Sequence, residues 1–202
     1  MKNIWYADNR DIIKWGGIVH LCNTTGIKHV TQIAYFRESS RLQLDFNGKD
    51  VSIPQDVIIH FRSMRDIKQL GTKVGITIDV VENEFSHNDR EKYTKSICQQ
   101  IQKQTQRKIV LLDPDTGLAP DSNKAKVEHV KPDEVSMIWH SLNNSDFLVL
   151  YQHRFRDTDW RDIRKKQIAK ACNINMSLVK EWKAPKSAKD LAKDVVFFFC
   201  EK

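Results

Sequence analysis

The feature that most constrains this chain is a short apolar run that ends in acid. Ile109-Val110-Leu111-Leu112 is followed at once by Asp113-Pro114-Asp115-Thr116-Gly117. Consecutive large apolar residues without a polar break suit a strand covered on both faces. Pro114 fixes its own φ and has no N–H to offer a neighbouring strand, so the strand must stop there. Phe147 to Tyr151 is a second continuous apolar strand, followed by Gln152-His153-Arg154. Two doubly covered strands imply a mainly parallel sheet with helices on both sides, and such sheets bind ligands at the carboxyl ends of their strands.

The rest of the chain supplies the alternating elements that this architecture needs. Asp8 to Asn23 is predicted as a helix, with Ile12, Ile13, Trp15, Val19 and Cys22 largely on one face and Gly26 as a stop. Gly16-Gly17 is unfavourable inside a helix, and a close neighbour, backbone or ligand, is one reason to tolerate the pair. His29 to Phe36 is predicted as a strand. Leu42, Leu44 and Phe46 alternate, Asn47-Gly48 signals a type I′ turn, and Val51 and Ile53 alternate again, giving a hairpin insertion near 41–53. Pro54 opens a helix with Val57, Ile58, Phe61 and Met64 inward, ending at Gly71. A strand over Val74 to Val81 follows, then a capping box at Ser86-x-x-Asp89 and a helix striped by Tyr93, Ile97 and Ile101. Pro132 starts another helix, carrying Val135, Ile138, Trp139 and Leu142. Asp159 to Ala171 is a helix with Trp160, Ile163 and Ile168 inward and Arg161, Arg164, Lys165 and Lys170 outward. Leu178 to Trp182 and Val195 to Cys200 are expected as a closing pair of strands. The whole, residues 1–202, is read as one three-layer α/β domain.

Composition narrows the class. There is no long apolar run, so a membrane span is not expected, and the first residues lack the apolar core of a secretory signal. Cys22, Cys98, Cys172 and Cys200 are widely spaced with no C-x-x-C pair, which suits reduced core thiols in a cytoplasmic protein. The net charge is +7, and from Arg154 to Lys202 thirteen Lys/Arg stand against seven Asp/Glu. Such a one-sided basic surface suits nucleic acid; a solvated lysine-rich face is the alternative.

Asp113 and Asp115, presented at the end of a central strand, suit cation binding, base catalysis or acceptance of hydrogen bonds from an amine. The alternative is a plain turn with Asp115 as an Asx residue. Gly117 allows a sharp turn or a close approach to a ligand. Tyr151, His153 and Arg154 should lie beside that loop, with His153 able to give up a proton or bind a phosphate. Glu82 and Glu84 either complete an acidic cluster or are ordinary acids before a helix. Tyr6, Asp8, Asn9, Asp11 and Lys14 gather at the start of the chain; Lys14 either folds over the sheet edge to pair with an acid or, the reading that spacing alone favours, is an ordinary exposed lysine.

Asp113-Pro114-Asp115 after an apolar strand resembles the D-P-P-Y motif of N6-adenine methyltransferases. Ala7-Asp8-Asn9-Arg10-Asp11-Ile12-Ile13-Lys14-Trp15 is similar to the A-G-N-x-x-D-x-x-K-H opening of the J-type methyltransferases of large-subunit ribosomal RNA, one residue shorter between Asn and Asp. The resemblance implies a Rossmann-like methyltransferase fold, S-adenosylmethionine as cofactor, and active-site roles for Lys14 and Asp113. Leu112 to Leu118 and Tyr151 to His153 also resemble uncharacterised bacterial proteins that carry F-D-P-D-N-G-L and a later Y-Q-H. Thr116 stands where the motif's aromatic residue packs on the target base, Asp115 replaces its second proline, and Phe36-Arg37-Glu38-Ser39-Ser40 replaces the expected G-x-G turn.

Three functions follow as expectations. The first is S-adenosylmethionine-dependent methylation of nucleic acid, with Asp113 on the exocyclic amine and Asp115, Lys14 and His153 beside it. Tyr6, Asn9, Gly117, Tyr151, Arg154, Arg161, Arg164 and Lys165 would then bind substrate. The second is a Mg²⁺-dependent nuclease, because Asp113-x-Asp115-x-Gly117 resembles the D-x-D-x-G stretch of toprim-type domains, with Glu82 or Glu84 as the further acid. The third is a non-catalytic nucleic-acid-binding member of the methyltransferase fold.

Overall fold

The computed structural model describes residues 9–37, 43–54, 56–57, 66–81, 83–120, 122–155, 158–185 and 192–202. Its centre is a six-stranded sheet built from β1 (His29–Ile33), β4 (Thr77–Val81), β5 (Lys108–Leu112), β8 (Phe147–His153), β9 (Lys180–Trp182) and β10 (Val195–Glu201). The strand order is β4-β1-β5-β8-β10-β9. β1 pairs in parallel with both β4 and β5, and β5 pairs in parallel with β8. β10 runs antiparallel between β8 and β9. The result is an α/β fold with a mostly parallel sheet, compatible with a Rossmann-like arrangement. From β1 the chain steps outward to β4, then returns to the other side of β1 to lay down β5. The topological switch point, where open α/β sheets bind ligands, therefore lies between the carboxyl ends of β1 and β5.

Five α-helices are formed by the described residues: α1 (Asn9–Thr25), α2 (Ile67–Val74), α3 (Arg90–Lys103), α4 (Pro132–Ser141) and α5 (Trp160–Cys172). They divide between the two faces because the apolar strands alternate. Ile109, Leu111, Val149 and Phe197 pack with Trp15, Ile18 and Leu21 of α1. Val110, Leu112, Leu150 and Phe198 pack with Ile97 of α3, Ile138 of α4 and Ile168 of α5. All five residues of β5 are buried, as a strand covered on both faces requires. β2 (Gln43–Phe46) and β3 (Lys49–Ser52) form the expected hairpin as a separate ladder, turning through Asn47 (φ 56°) and Gly48 (φ 78°). β6 (Gly117–Leu118) and β7 (His129–Val130) make a short parallel ladder beside the site. Among the described residues no helix is long and apolar enough to cross a membrane.

Several sequence expectations need correction. α1 presents Asp11, Lys14, Trp15, Ile18, Leu21 and Cys22 inward, so Ile12 is rotated out and is 60% exposed. The buried stripe of α5 is Trp160, Arg164, Ile168 and Cys172, which turns Ile163 to solvent (42% exposed) and Arg164 inward. Val57 is exposed, and Ile58, Phe61 and Met64 lie outside the described residues. α2 passes through Gly71 and ends at Gly75 in the left-handed region, so Val74 closes a helix and β4 starts at Thr77. Asp89 sits at the N-cap of α3 but makes no side-chain cap hydrogen bond, so the capping box is not formed. Cys172 and Cys200, far apart in sequence, come within hydrogen-bonding reach of each other in the core, and contact with Cys200, aided by burial, pushes the Cys172 thiol up.

Gly16-Gly17 has a physical explanation at one of its two positions. A Cβ on Gly17 would stand 2.1 Å from Trp182 Nε1, whereas one on Gly16 would meet nothing. Trp182 stacks on Phe197 with centroids 5.2 Å apart and donates from its indole to the Ile13 carbonyl at 3.3 Å. Gly17 thus lets α1 lie directly against the edge strand β9. Gly17→Ala is expected to lower stability by about 1–3 kcal/mol through overpacking, despite the better helix propensity of alanine. Thermal melts should show that fall, and it should shrink in a Trp182→Ala background, where the clash is gone.

Candidate active site

The site forms where the switch point meets α1. Asp113 follows β5 directly, and its backbone N–H donates to the Ile33 carbonyl at 3.0 Å, which fastens it against the end of β1. Its carboxylate is buried and makes an ion pair with Lys14 Nζ at 2.8 Å. Gln32 Nε2 donates to the same oxygen, Oδ2, at 2.7 Å. Lys14 also meets Asp11 Oδ1 at 2.5 Å, one helical turn back on α1. Lys14 is only 2% exposed, so its ammonium is held in place by carboxylates rather than by water. Burial pulls the Lys14 pKa down, but Asp113 and Asp11 more than offset this, and the net shift is upward. Lys14 is therefore a fixed cation and not a poised base. Among the described residues, both side-chain hydrogen bonds to Asp113 fall on Oδ2, so Oδ1 is the oxygen offered to a ligand.

The loop after Asp113 is clamped by Gln152, which is fully buried on β8. Its Oε1 accepts from the Leu118 N–H at 2.9 Å, and its Nε2 donates to the Thr116 and His153 carbonyls at 3.0 and 2.9 Å. Gly117 is required there. Its φ is +108°, and a Cβ would lie 2.5 Å from Gln152 Cδ. Asp115 is paired with Arg37, in the segment after β1. Glu84 is exposed and Glu82 lies outside the described residues, and among the described residues no three His, Cys, Asp or Glu side chains gather as a metal site.

β8 contributes the other half of the site. Tyr151 is buried on the α1 side of the sheet, with Lys14 Nζ 6.0 Å from its ring centre. Tyr151 Oη and His153 Nε2 are 2.5 Å apart. His153 Nδ1 faces Asp194 Oδ2 at 3.6 Å, and Arg10 grips the same carboxylate through Nε and Nη2 at 3.2 and 2.7 Å. Partial burial raises the Asp194 pKa, Arg10 and His153 lower it, and the net position is below the usual carboxylate value.

The remaining candidates are dispersed. Tyr6 lies outside the described residues, and Asn9 is the exposed first residue of α1. Arg154 is exposed at the end of β8, with its N–H on the Asp194 carbonyl at 2.7 Å. Arg161 and Lys165 reach Glu181 at 3.1 and 3.2 Å, and Lys183 joins them at 2.9 Å, so that cluster keeps a positive excess. Arg164 is not available to substrate. It is 4% exposed, lies over Phe155 with the guanidinium carbon 4.1 Å from the ring centre, and donates to the Ala119 carbonyl. Sequence reasoning missed Gln32, Arg37 and Asp194. Gln32 left a faint trace, as a polar residue inside an otherwise apolar strand. Asp194 left none, because only the antiparallel return of β10 brings it to the carboxyl ends of the parallel strands.

Compared with known protein families and with curated proteins, the chain matches none.

Proposed function

We propose that this protein is an S-adenosylmethionine-dependent methyltransferase acting on an exocyclic amine of a nucleic-acid base. The observation that carries the reading is the Lys14–Asp113–Gln32 constellation at the switch point. An amine to be methylated must be held by an acceptor that strengthens as nitrogen becomes positive, and a buried carboxylate with one free oxygen does this. Lys14 and Gln32 fix the orientation of that carboxylate before substrate arrives, so little reorganisation remains. A last strand that turns antiparallel and slots between its two predecessors also favours the methyltransferase type of sheet. The positive excess around Glu181 suits the phosphate backbone of an RNA.

The turn after β1 fits a methyl donor despite its lack of glycine. Tyr35 takes a φ of +46°, so the chain bends there as a glycine would allow, and its ring is turned inward against Phe85. Arg37 Nε is buried with no hydrogen-bond partner among the described residues, a donor suited to the carboxylate of the cofactor. When bound, S-adenosylmethionine would supply an electrophilic methyl group on sulfur. Arg37 would orient it and Asp113 would orient the acceptor.

Calorimetric titration of the folded protein with S-adenosylmethionine tests this. Saturable heat is expected, with affinity at least tenfold weaker in Arg37→Gln. A folded wild-type protein that gives no heat contradicts the reading.

A further inference from the structure

We infer that Tyr151, His153 and Asp194 form a proton relay that drains this site, with Tyr151 Oη taking the proton that the reacting amine sheds. The inference rests on the methyl-transfer reading. Its residues, however, are arranged for proton movement whatever the acceptor.

Transfer to an amine makes a nitrogen–carbon bond and breaks the donor's sulfur–carbon bond, whose electron pair stays on sulfur. The nitrogen is then one proton in excess. Asp113 is a poor final acceptor, because Lys14 and Gln32 are already committed to its Oδ2 and a neutral Asp113 would leave the Lys14 ammonium partly uncompensated. A hydroxyl on the same face of the sheet is Tyr151 Oη, whose ring centre lies 6.0 Å from Lys14 Nζ.

The rest of the relay is set by three contacts. Tyr151 Oη is 2.5 Å from His153 Nε2, a short hydrogen-bond distance. Asp194 faces Nδ1 at 3.6 Å, which favours the tautomer with its proton on Nδ1, so that Nε2 accepts from tyrosine. As the amine proton reaches Tyr151 Oη, the phenol's own proton passes to Nε2. Tyrosine ends neutral and His153 becomes an imidazolium opposite the Asp194 carboxylate. Arg10 holds that carboxylate in place through two hydrogen bonds. His153 has a side chain 29% exposed, so the imidazolium can release its proton to water and reset. Serine hydrolases use the same order of groups, acid to histidine to hydroxyl. Here a phenol stands in the hydroxyl position.

Charged groups from each side enter the titration of His153. The Asp194 carboxylate, before β10, faces the His153 ring, and Arg10 of α1 is paired with that carboxylate. Removing the Asp194 charge takes away the carboxylate that faces the ring.

Two measurements test the relay. The first follows the His153 ring by NMR through a pH titration, with the signal assigned by its loss in His153→Gln. Asp194→Asn is expected to lower the His153 pKa by roughly one unit, and Tyr151→Phe to shift the Nε2 resonance. A His153 pKa that ignores Asp194→Asn overturns the relay, whether or not the protein methylates anything. The second is the pH profile of methyl transfer to RNA. Tyr151→Phe should reduce kcat roughly a hundredfold with KM little changed, as loss of general base catalysis does. Asp194→Asn should move the acidic limb of the profile. Full transfer by a folded Tyr151→Phe at every pH overturns the relay and leaves the methyltransferase reading intact. Absence of transfer by the wild type removes the methyltransferase reading, and the NMR titration then decides the relay alone.

Discussion

Lys14→Met is expected to destabilise the fold by about 3–5 kcal/mol, the usual result of removing one partner from a buried charge cluster. The residue is 2% exposed and neutralises Asp113 and Asp11 together. Methionine fills much of the same volume, so the loss is electrostatic rather than a cavity. In a chain of this length, that loss corresponds to a melting temperature lower by roughly 10 °C or more. Adding Asp113→Leu should recover part of it, because the stranded carboxylate is removed. The same pair predicts a pH dependence. Lys14 has a folded pKa above its unfolded value of 10.5, so its contribution is complete below that pH and is lost as pH rises through the folded pKa. Stability should therefore fall on the alkaline side above about pH 10.5 in wild type and less steeply in Lys14→Met. A variant that melts within experimental error of wild type contradicts the assignment of Lys14 as a structural and electrostatic anchor.

On the proposed methyl-transfer reading, Asp113→Asn is expected to lower kcat by about 100- to 1,000-fold, the scale seen when one preorganised electrostatic partner is removed from a reacting centre. Asparagine keeps the shape, and its amide oxygen can still accept from Gln32. Lys14 keeps Asp11 as a counter-ion at 2.5 Å, so folding should survive. What is lost is negative charge facing an amine that becomes positive as it reacts. The effect should therefore appear in kcat more than in KM, because the ground-state amine is neutral. Initial rates with labelled donor, on protein shown to be folded by circular dichroism, measure it. A loss confined to KM would make Asp113 a binding residue only.

Much of the sheet was legible because its central strands are covered on both faces and so are written as unbroken apolar runs. Ile109 to Leu112 and Phe147 to Tyr151 announced β5 and β8, and the acid after the first run marked the end of a strand. Helical phase was less legible where charge and apolar stripes compete. On α1 the buried ends of Asp11 and Lys14 take positions that a hydrophobic reading assigns to solvent, and Ile12 is displaced outward. On α5 the same happens with Arg164, which is drawn in by the Phe155 ring and the Ala119 carbonyl. Both errors come from treating Lys and Arg as exposed by default, a rule that fails where a partner waits inside.

The site was partly legible for a different reason. Lys14 and Asp113 are 99 positions apart, and spacing alone favoured an ordinary exposed lysine; the resemblance singled out Lys14 and Asp113. Asp115 was read as a companion carboxylate, but Arg37 claims it, and Arg37 sits at the one turn where glycine was expected. Asp194 arrives through an antiparallel strand return and carries no local sequence signal, and Gln152 stood out only as part of the Tyr151-Gln152-His153 stretch, with nothing to show the backbone it clamps. The three contacts that join Tyr151, His153, Asp194 and Arg10 are properties of the fold and not of any segment.

The most direct test of the central claim is to identify the product. RNA is incubated with the protein and S-adenosylmethionine, digested to nucleosides and analysed by mass spectrometry. A new methyl on an exocyclic base nitrogen, present with wild type and strongly reduced with Asp113→Asn, is the predicted result. Methylation that proceeds equally with Asp113→Asn, or none from a folded wild-type protein that binds the donor, would contradict the placement of chemistry at Asp113.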